Sequence, residues 1–312
     1  MKVYSVFDDF TKEAAQILKN ENIELDIHSK GLSRPDSIQL KSLLEDYDGL
    51  IIGTGQKMGP DCFKDINAHK IIATASVGTD HIQLPDNKKD LIKIMNTPKS
   101  NKESVAEYTI ACALMCCKRI IEAASLYKTG KNNKSLFSKP VDLAGKTIGV
   151  VGAGPVSICI MQYAKCVGMN VLCWTKHPEK HVDLIQKNVE FCSTLTDLAE
   201  KSDVISVNLP KLPETENIIS ADIISAMKEN TVFISTSRLE TVDLFTLIKR
   251  AKENRNFYIC ADLDIEKDIV MQLSDNPNII ITPHIAGGTV ESRNRMFYEC
   301  ATNIITYAKM QF

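Results

Sequence analysis

Short apolar runs alternate with helix-length segments along almost the whole chain. Eleven runs are rich in β-branched and aromatic residues and read as strands: VYSVF (3–7), IELDI (23–27), GLIIG (49–53), KIIAT (70–74), IKIM (92–95), TIGVV (147–151), NVLCW (170–174), DVISVN (203–208), TVFIS (231–235), FYICA (257–261) and NIIIT (278–282). Strands that alternate with helices indicate parallel sheets built from βαβ units. Because eleven strands exceed what one compact unit normally holds, the sequence predicts an α/β protein with two doubly wound parallel-sheet domains.

Polar segments mark the candidate boundaries between these domains. One lies near NTPKSNKES (96–104) and the other near PHIAGG (283–288). The sequence therefore predicts a first domain formed by residues 1–100 plus 285–312, with a second domain over 101–284 inserted into it.

Three further segments have recognisable patterns. A helix is predicted from about Ser104 to about Leu126, and another from Glu291 to about Lys309. TGKNNKSLFSKP (129–140) is rich in turn-forming and polar residues and is the best loop candidate.

Composition excludes several classes of partner. The 312 residues include 37 basic and 39 acidic side chains, and this balance predicts neither nucleic acid nor an anionic membrane as a partner.

The first residues, MKVYSVFDDF, lack the apolar core of a signal peptide, so we expect a cytoplasmic protein. The ten cysteines form no C-x-x-C pair, which predicts buried, reduced thiols and no zinc site.

The segment GKTIGVVGAGPVSICIMQYAKCVGMNVLCWTKH (145–177) has the pattern strand, glycine turn, helix, strand. Gly152 and Gly154 permit a tight turn and a close approach of the backbone to a pyrophosphate, which then faces the helix amides. Ser157 stands at the third glycine position and is small enough for close helix packing. Pro155 removes a backbone N–H from the turn but suits the first turn of a helix.

The end of the second strand in this segment bears on the choice of cofactor. An acidic residue there would bind the ribose hydroxyl of NAD, but the chain has Trp174, Thr175, Lys176 and His177. Thr175 can donate a hydrogen bond and Lys176 can attract a 2′-phosphate, so the sequence predicts NADP as the preferred cofactor, with NAD as the alternative. The alternative interpretation of Lys176 is an ordinary solvated lysine with no part in cofactor choice.

Several motifs together resemble the D-isomer-specific 2-hydroxyacid dehydrogenase family. They follow in order along the chain: ASVGTDHI (75–82), NTPKSNKESVAEYTIACAL (96–114), LAGKTIGVVGAG (143–154), NLPKLPETENII (208–219), MKENTVFISTSR (227–238), ADLD (261–264) and ITPHIAGGTVES (281–292). The resemblance implies a flavodoxin-like substrate domain, an inserted Rossmann domain and an active site in the cleft between them. It also implies a homodimer.

The resemblance assigns the two principal catalytic residues. Arg238 follows the strand-like run TVFIS, where its guanidinium would bind the carboxylate and the carbonyl oxygen of a substrate. His284 would protonate the carbonyl oxygen, a task that suits an imidazolium near neutral pH. The other histidines lack such a context and are expected to be structural or solvated: His28, His69, His81, His177 and His181.

The third catalytic residue of the family, a glutamate that pairs with the histidine, has no direct counterpart. Counting five positions from Asp264 gives Ile269. A one-residue deletion would bring Asp268 into register. Glu266 and the absence of any acid are the alternatives. Asp264 itself matches the aspartate that holds the nicotinamide carboxamide.

The remaining site residues follow from the same resemblance. The amides of Val77 and Gly78 would hold the substrate carboxylate. The expected cofactor contacts beyond those already named are Val156, Asn208, Pro210 and Thr236. Leu239 and Glu240 stand where the family usually has two glycines, and these larger side chains beside the nicotinamide site would narrow substrate choice or impair cofactor fit.

Two functions are compatible with these features. The first is a dehydrogenase that transfers a hydride between NAD(P)H and a small 2-oxo acid, with the glyoxylate/hydroxypyruvate type favoured. The second is a catalytically weak, dinucleotide-binding regulatory module on the same fold, because a fold does not by itself determine an activity.

Overall fold

Parallel strands form two separate sheets in this chain, as the sequence predicts. The computed structural model describes residues 1–130, 140–263, 265, 267–273 and 276–311. The chain divides into two units. The first unit is Met1–Asn101 with Thr289–Phe312, and the second unit is Lys102–Gly288.

The first unit contains a five-stranded parallel sheet in the order β2-β1-β3-β4-β5. Its strands are β1 (Lys2–Ser5), β2 (Glu24–Ile27), β3 (Gly49–Ile52), β4 (Lys70–Thr74) and β5 (Ile92–Met95). Its helices are α1 (Lys12–Asn20), α2 (Ser37–Asp46) and, numbered in chain order, α11 (Val290–Gln311). This strand order is that of flavodoxin-like folds.

Side chains at helix ends and in the core explain why these elements form. Asp36 caps α2 with a capping box, because its carboxylate accepts from the Gln39 amide at 2.9 Å while the Gln39 side chain accepts from the Asp36 amide. Phe7, Phe10 and Phe297 stack in the core, with ring centroids 4.8 and 5.0 Å from Phe297. This aromatic cluster holds α11 against the sheet of the first unit.

The second unit contains a seven-stranded parallel sheet in the order β12-β11-β10-β9-β6-β7-β8. Its strands are β6 (Thr147–Val151), β7 (Asn170–Trp174), β8 (Glu190–Phe191), β9 (Val204–Val207), β10 (Val232–Ser235), β11 (Tyr258–Asp262) and β12 (Ile279–Thr282). The order reverses beside β6, which is the Rossmann arrangement. Strands β9, β10 and β11 are buried throughout, which explains their continuous apolar sequences.

Helices cover this sheet on both faces. They are α3 (Lys102–Cys117), α4 (Ile120–Lys128), α5 (Pro155–Cys166), α6 (Val182–Gln186), α7 (Leu195–Lys201), α8 (Ala221–Ala226), α9 (Leu244–Glu253) and α10 (Lys267–Gln272). In the described ranges, no helix has both the length and the apolar character needed to cross a bilayer.

All eleven predicted strand regions contain a strand, and the fold-class prediction is confirmed. Strand β8 was not predicted, because its two residues are too few to produce a sequence pattern. The prediction of buried thiols is confirmed for nine of the ten cysteines, which are all free, but it is wrong for Cys166, which is exposed.

The predicted helix over 104–126 is wrong as a single element. It breaks between α3 and α4 at Arg119, whose φ of 54° is left-handed. The Arg119 guanidinium bonds the side chain of Asn256 and lies 5.8 Å from the ring centre of Tyr258. These contacts are more than 130 positions away in sequence, so no local pattern could reveal the break. The predicted loop over 129–140 lies almost wholly outside the described residues.

Candidate active site

The candidate catalytic residues of the second unit lie at one edge of its sheet. Arg238 follows the end of β10 by three residues, and His284 follows the end of β12 by two. The register Ser235–Ala261–Ile281 aligns the ends of these strands across β11. Because neighbouring strands lie about 4.8 Å apart, the two segments leave the sheet roughly 10 Å from each other.

The glycine turn after β6 lies at the same edge and is held in a conformation that requires glycine. Gly152 has a φ of 103°, and its amide donates to the carbonyl oxygen of Trp174 at 2.8 Å. A Cβ at this position would lie 2.9 Å from the carbonyl oxygen of Asn208. The turn therefore approaches the end of β9 too closely for any side chain.

The helix that follows the turn presents an unblocked N-terminus. Gly154 caps the twelve-residue helix α5 without a side-chain hydrogen bond, and a Cβ there would meet nothing within 4 Å. Pro155 occupies the first turn, a position that proline favours, so it does not disrupt the helix. The first-turn amides of Val156 and Ser157 have no partner within the helix and can bind an anion.

The end of β7 places the two predicted cofactor-selecting residues near the surface. Thr175 is half-buried and Lys176 is exposed. The Lys176 ammonium lies 3.7 Å from the carboxylate of Glu214, and both side chains are more than half exposed. His177 pairs with Glu179 at 3.1 Å. The Lys176 ammonium can therefore bind a phosphate, but the nearby Glu214 carboxylate competes for it.

Two predicted cofactor contacts bond each other beside the glycine turn. The Thr236 hydroxyl donates to the side-chain oxygen of Asn208 at 3.0 Å, and the Asn208 amide group donates to Ser206 at 2.9 Å. The carbonyl oxygen of Pro210 accepts from the Thr215 hydroxyl at 2.6 Å. These bonds fix the loops that follow β9 and β10 at the edge of the sheet.

Arg238 is half-buried and is followed by an ordered turn. Its guanidinium donates to the carbonyl oxygen of Ser237 at 3.2 Å. Leu239–Thr241 form a 3₁₀ turn in which Leu239 packs against the core. The Lys211 ammonium bonds the carboxylate of Glu240 at 2.5 Å and lowers the pKa of that carboxyl. The two residues that replace the family's glycines thus anchor the turn beside Arg238.

His284 is exposed and lies in a tight turn after β12. Its φ is 52°, a left-handed conformation that costs a residue other than glycine about 1–2 kcal/mol. Its amide donates to the carbonyl oxygen of Thr282 at 3.0 Å. Asp262, at the end of β11, accepts hydrogen bonds from residues on both sides of His284. Asp262 is not among the site residues predicted from the sequence, although an aspartate at the end of the apolar run FYICADL was an available signal.

The predicted third catalytic residue is only partly described. Asp268 is exposed in the first turn of α10. Asp264 and Glu266 lie outside the described residues. The assignment of an acidic partner to His284 therefore stays a prediction.

The predicted substrate loop belongs to the first unit and follows β4. The carbonyl oxygens of Val77 and Gly78 accept hydrogen bonds from Asn96 at 2.5 Å and Ser76 at 2.7 Å. The buried ring of His81 bonds the hydroxyl of Thr74 at 3.0 Å. These bonds fix the loop's conformation, and they give His81 the structural role that the sequence analysis expected.

Comparison with known proteins decides the family. The model of the D-isomer specific 2-hydroxyacid dehydrogenase NAD binding domain matches residues 110–286. The chain belongs to the D-isomer-specific 2-hydroxyacid dehydrogenase family.

Relatives and solved structures cover almost all of the chain. A glyoxylate reductase of Thermofilum pendens is 31% identical over 282 residues, which are 88% of this chain and 82% of that protein. A hydroxypyruvate reductase of Thermotoga maritima is 29% identical over 311 residues, 96% of both. The structure of Aquifex aeolicus D-lactate dehydrogenase with NAD and lactic acid superposes with a TM-score of 0.83 at 26% identity, covering 99% of this chain and 96% of that one.

A nicotinamide dinucleotide is the cofactor that this dehydrogenase family member binds. The matched family model is an NAD-binding domain. The residues present fit the group, because the open space beside Gly154 and the unblocked amides of α5 form a cradle that an added Cβ would enter.

Proposed function

We propose that this dehydrogenase reduces a small 2-oxo acid of the glyoxylate/hydroxypyruvate type to the 2-hydroxy acid, of D configuration where that carbon is chiral, with NADPH preferred. One observation carries the proposal: Arg238, His284 and the glycine turn at Gly152 all follow strands that end at the same edge of one parallel sheet. In open α/β sheets this edge is where ligands bind. The names of the two relatives support the substrate class.

The side chains divide the chemistry between them. When bound, the reduced dinucleotide supplies the hydride that reaches the substrate carbonyl carbon. The half-buried guanidinium of Arg238 binds the substrate's carboxylate and carbonyl oxygen, which orients the carbonyl and polarises it. His284 donates a proton to that oxygen as the alcohol forms. Asp268 is the proposed partner of the imidazole, and the amides of Val77 and Gly78 are the proposed ligands of the carboxylate.

The preference for NADPH rests on the end of β7. No acidic residue follows Trp174, and the exposed ammonium of Lys176 can pair with a 2′-phosphate. We expect Lys176→Ala to lower the ratio of kcat/KM for NADPH to that for NADH. Glu214→Gln is the matched variant, because it removes the competing carboxylate and should leave the ratio unchanged or raise it. Equal ratios in all three proteins, or a wild-type preference for NADH, would contradict the NADP assignment.

Oxidation of both reduced cofactors with a panel of oxo acids tests the activity itself. The panel contains glyoxylate, hydroxypyruvate, pyruvate and longer 2-oxo acids. We expect turnover with glyoxylate and hydroxypyruvate. His284→Ala should lower kcat on the order of 1,000-fold while dinucleotide binding is retained. Binding of dinucleotide without turnover of any panel member would favour the regulatory-module alternative.

Assembly and location are further parts of the proposal. We propose a homodimer, supported by the exposed apolar side chains of Ile120, Ile121 and Tyr127 on α4. Light scattering at several concentrations tests the dimer, and a monomer at all of them would refute it. We also propose a cytoplasmic location, which is supported by the ten free cysteines and is tested by cell fractionation.

A further inference from the structure

A buried carboxylate at the end of β11 holds the turn that carries His284. Asp262 is 2% exposed and is paired in register with Thr282 on β12. One carboxylate oxygen accepts from the Thr282 hydroxyl at 2.5 Å and from the Ile285 amide at 2.8 Å. The other accepts from the Ala286 amide at 2.7 Å. One side chain therefore bonds residues on both sides of His284.

These bonds act on a backbone conformation that does not form by itself. His284 has a left-handed φ of 52°, which residues with a Cβ rarely adopt. Two consecutive amides, those of Ile285 and Ala286, can point at one carboxylate only while the chain keeps this turn. Such strained residues persist where the surrounding structure determines them.

The hydrogen bonds that reach Asp262 have a fixed direction. The Thr282 hydroxyl has a single proton, which it donates to Asp262, so it accepts from the Tyr108 hydroxyl at 2.6 Å. Burial raises the pKa of Tyr108, which keeps its hydroxyl protonated as a donor. The chain of donors from α3 through β12 thus ends on a group that only accepts.

We propose that Asp262 is a positioning residue that sets the orientation of His284 for catalysis. The inference rests on the proposed function only in giving His284 the role of proton donor. A carboxylate is required because three donors converge on it. An asparagine side chain offers one accepting oxygen, and its amide group would face an N–H or O–H donor. Asp262 contacts the backbone and Thr282, and acts on the reaction through His284.

Amide hydrogen exchange tests the geometry without any activity. Compared with wild type, Asp262→Asn should speed exchange of the Ile285 and Ala286 amides by about tenfold or more. The matched control is Asp203→Asn. Asp203 precedes β9 at the amino-terminal ends of the strands, where its carboxylate accepts from the Thr147 amide at 2.9 Å and pairs with Lys228. This control should leave the exchange rates of the Ile285 and Ala286 amides unchanged. Unchanged exchange in Asp262→Asn would overturn the proposal.

A second pair of variants covers the case in which Asp262→Asn does not fold. Thr282→Val removes the hydroxyl that bonds Asp262, whereas Thr282→Ser keeps it. We expect faster exchange at Ile285 in the valine variant and wild-type exchange in the serine variant. Equal exchange in both would contradict the inferred role.

A double-mutant cycle tests the link to the reaction. With the best oxo acid of the panel, Asp262→Asn should lower kcat on the order of 100-fold with little change in the Kd for dinucleotide. In a His284→Ala background the same change should cost no more than about twofold, because a residue that acts through the imidazole loses its effect when the imidazole is absent. An equal loss in both backgrounds would show a general structural effect and refute the proposal. If the wild type reduces no oxo acid, the proposed function fails, and amide exchange alone decides whether Asp262 holds the turn.

Discussion

Substitution of each glycine in the phosphate-binding turn by alanine should change a different property of the protein. At Gly152 the change forces a residue with a Cβ to a φ of 103° and puts that Cβ 2.9 Å from the carbonyl oxygen of Asn208. At Gly154 the φ is −73°, which alanine adopts readily, and the new Cβ meets nothing within 4 Å. We therefore expect Gly152→Ala to reduce stability and Gly154→Ala to reduce dinucleotide affinity.

The size of the first effect follows from its two causes. Backbone strain of this kind costs about 1–3 kcal/mol, and forcing extra volume into a packed site costs about 1–3 kcal/mol more. With a urea slope of about 2 kcal/mol per molar, the sum moves the unfolding midpoint of Gly152→Ala down by roughly 1–3 M. Gly154→Ala loses a favourable cap residue and should cost less than about 1 kcal/mol.

Fluorescence of Trp174 provides the measurement. It is the only tryptophan in the chain, and its carbonyl oxygen accepts the hydrogen bond from Gly152. Urea unfolding followed by this signal, with circular dichroism as a second probe, gives the midpoints, and quenching by dinucleotide gives the Kd. We expect Gly154→Ala to weaken binding at least about tenfold, or 1.4 kcal/mol, since its methyl group occupies the space for the pyrophosphate.

Two results would refute this reasoning. A midpoint for Gly152→Ala within about 0.3 M of wild type would show that the turn relaxes without cost. Unchanged dinucleotide affinity in Gly154→Ala would show that the open space beside α5 is not the phosphate site.

Three further predictions concern other residues. Arg238→Lys should lower kcat/KM for the oxo acid about 100-fold, because lysine cannot bind a carboxylate and a carbonyl at once, with an unchanged dinucleotide Kd as the control; near-wild-type turnover would remove Arg238 from the mechanism. The Lys211 hydrogen bond depresses the pKa of Glu240 below its usual 4.5, so the ion pair stabilises the folded state at neutral pH and this contribution is lost as the pH falls through the folded-state pKa. Lys211→Gln should thus cost at most about 1 kcal/mol at pH 7 and nothing in strong acid by urea titration, since the pair is partly exposed; a difference that persists in acid would contradict this. In native protein, a thiol reagent should modify Cys166 rapidly and the other nine cysteines slowly, and Cys166→Ser should abolish the fast phase.

Features encoded in neighbouring residues could be predicted from the sequence. The buried parallel strands, the glycine turn and the helix that begins at Pro155 each have a local cause, because periodicity, φ preference and capping act over a few positions. The motifs around Arg238 and His284 also identified the family and the edge of the sheet at which these side chains lie.

Features that depend on distant residues were decided by the tertiary structure. The helix break at Arg119 depends on Asn256 and Tyr258. The hydrogen bonds that hold the His284 turn depend on Asp262, which is 22 positions earlier in the chain. A carboxylate in a sequence carries no sign of which amides will converge on it, since that convergence exists only when β11 and β12 pair in register. Sequence therefore determined the elements and indicated the candidate reactive residues, and tertiary packing determined how the backbone around those residues is held.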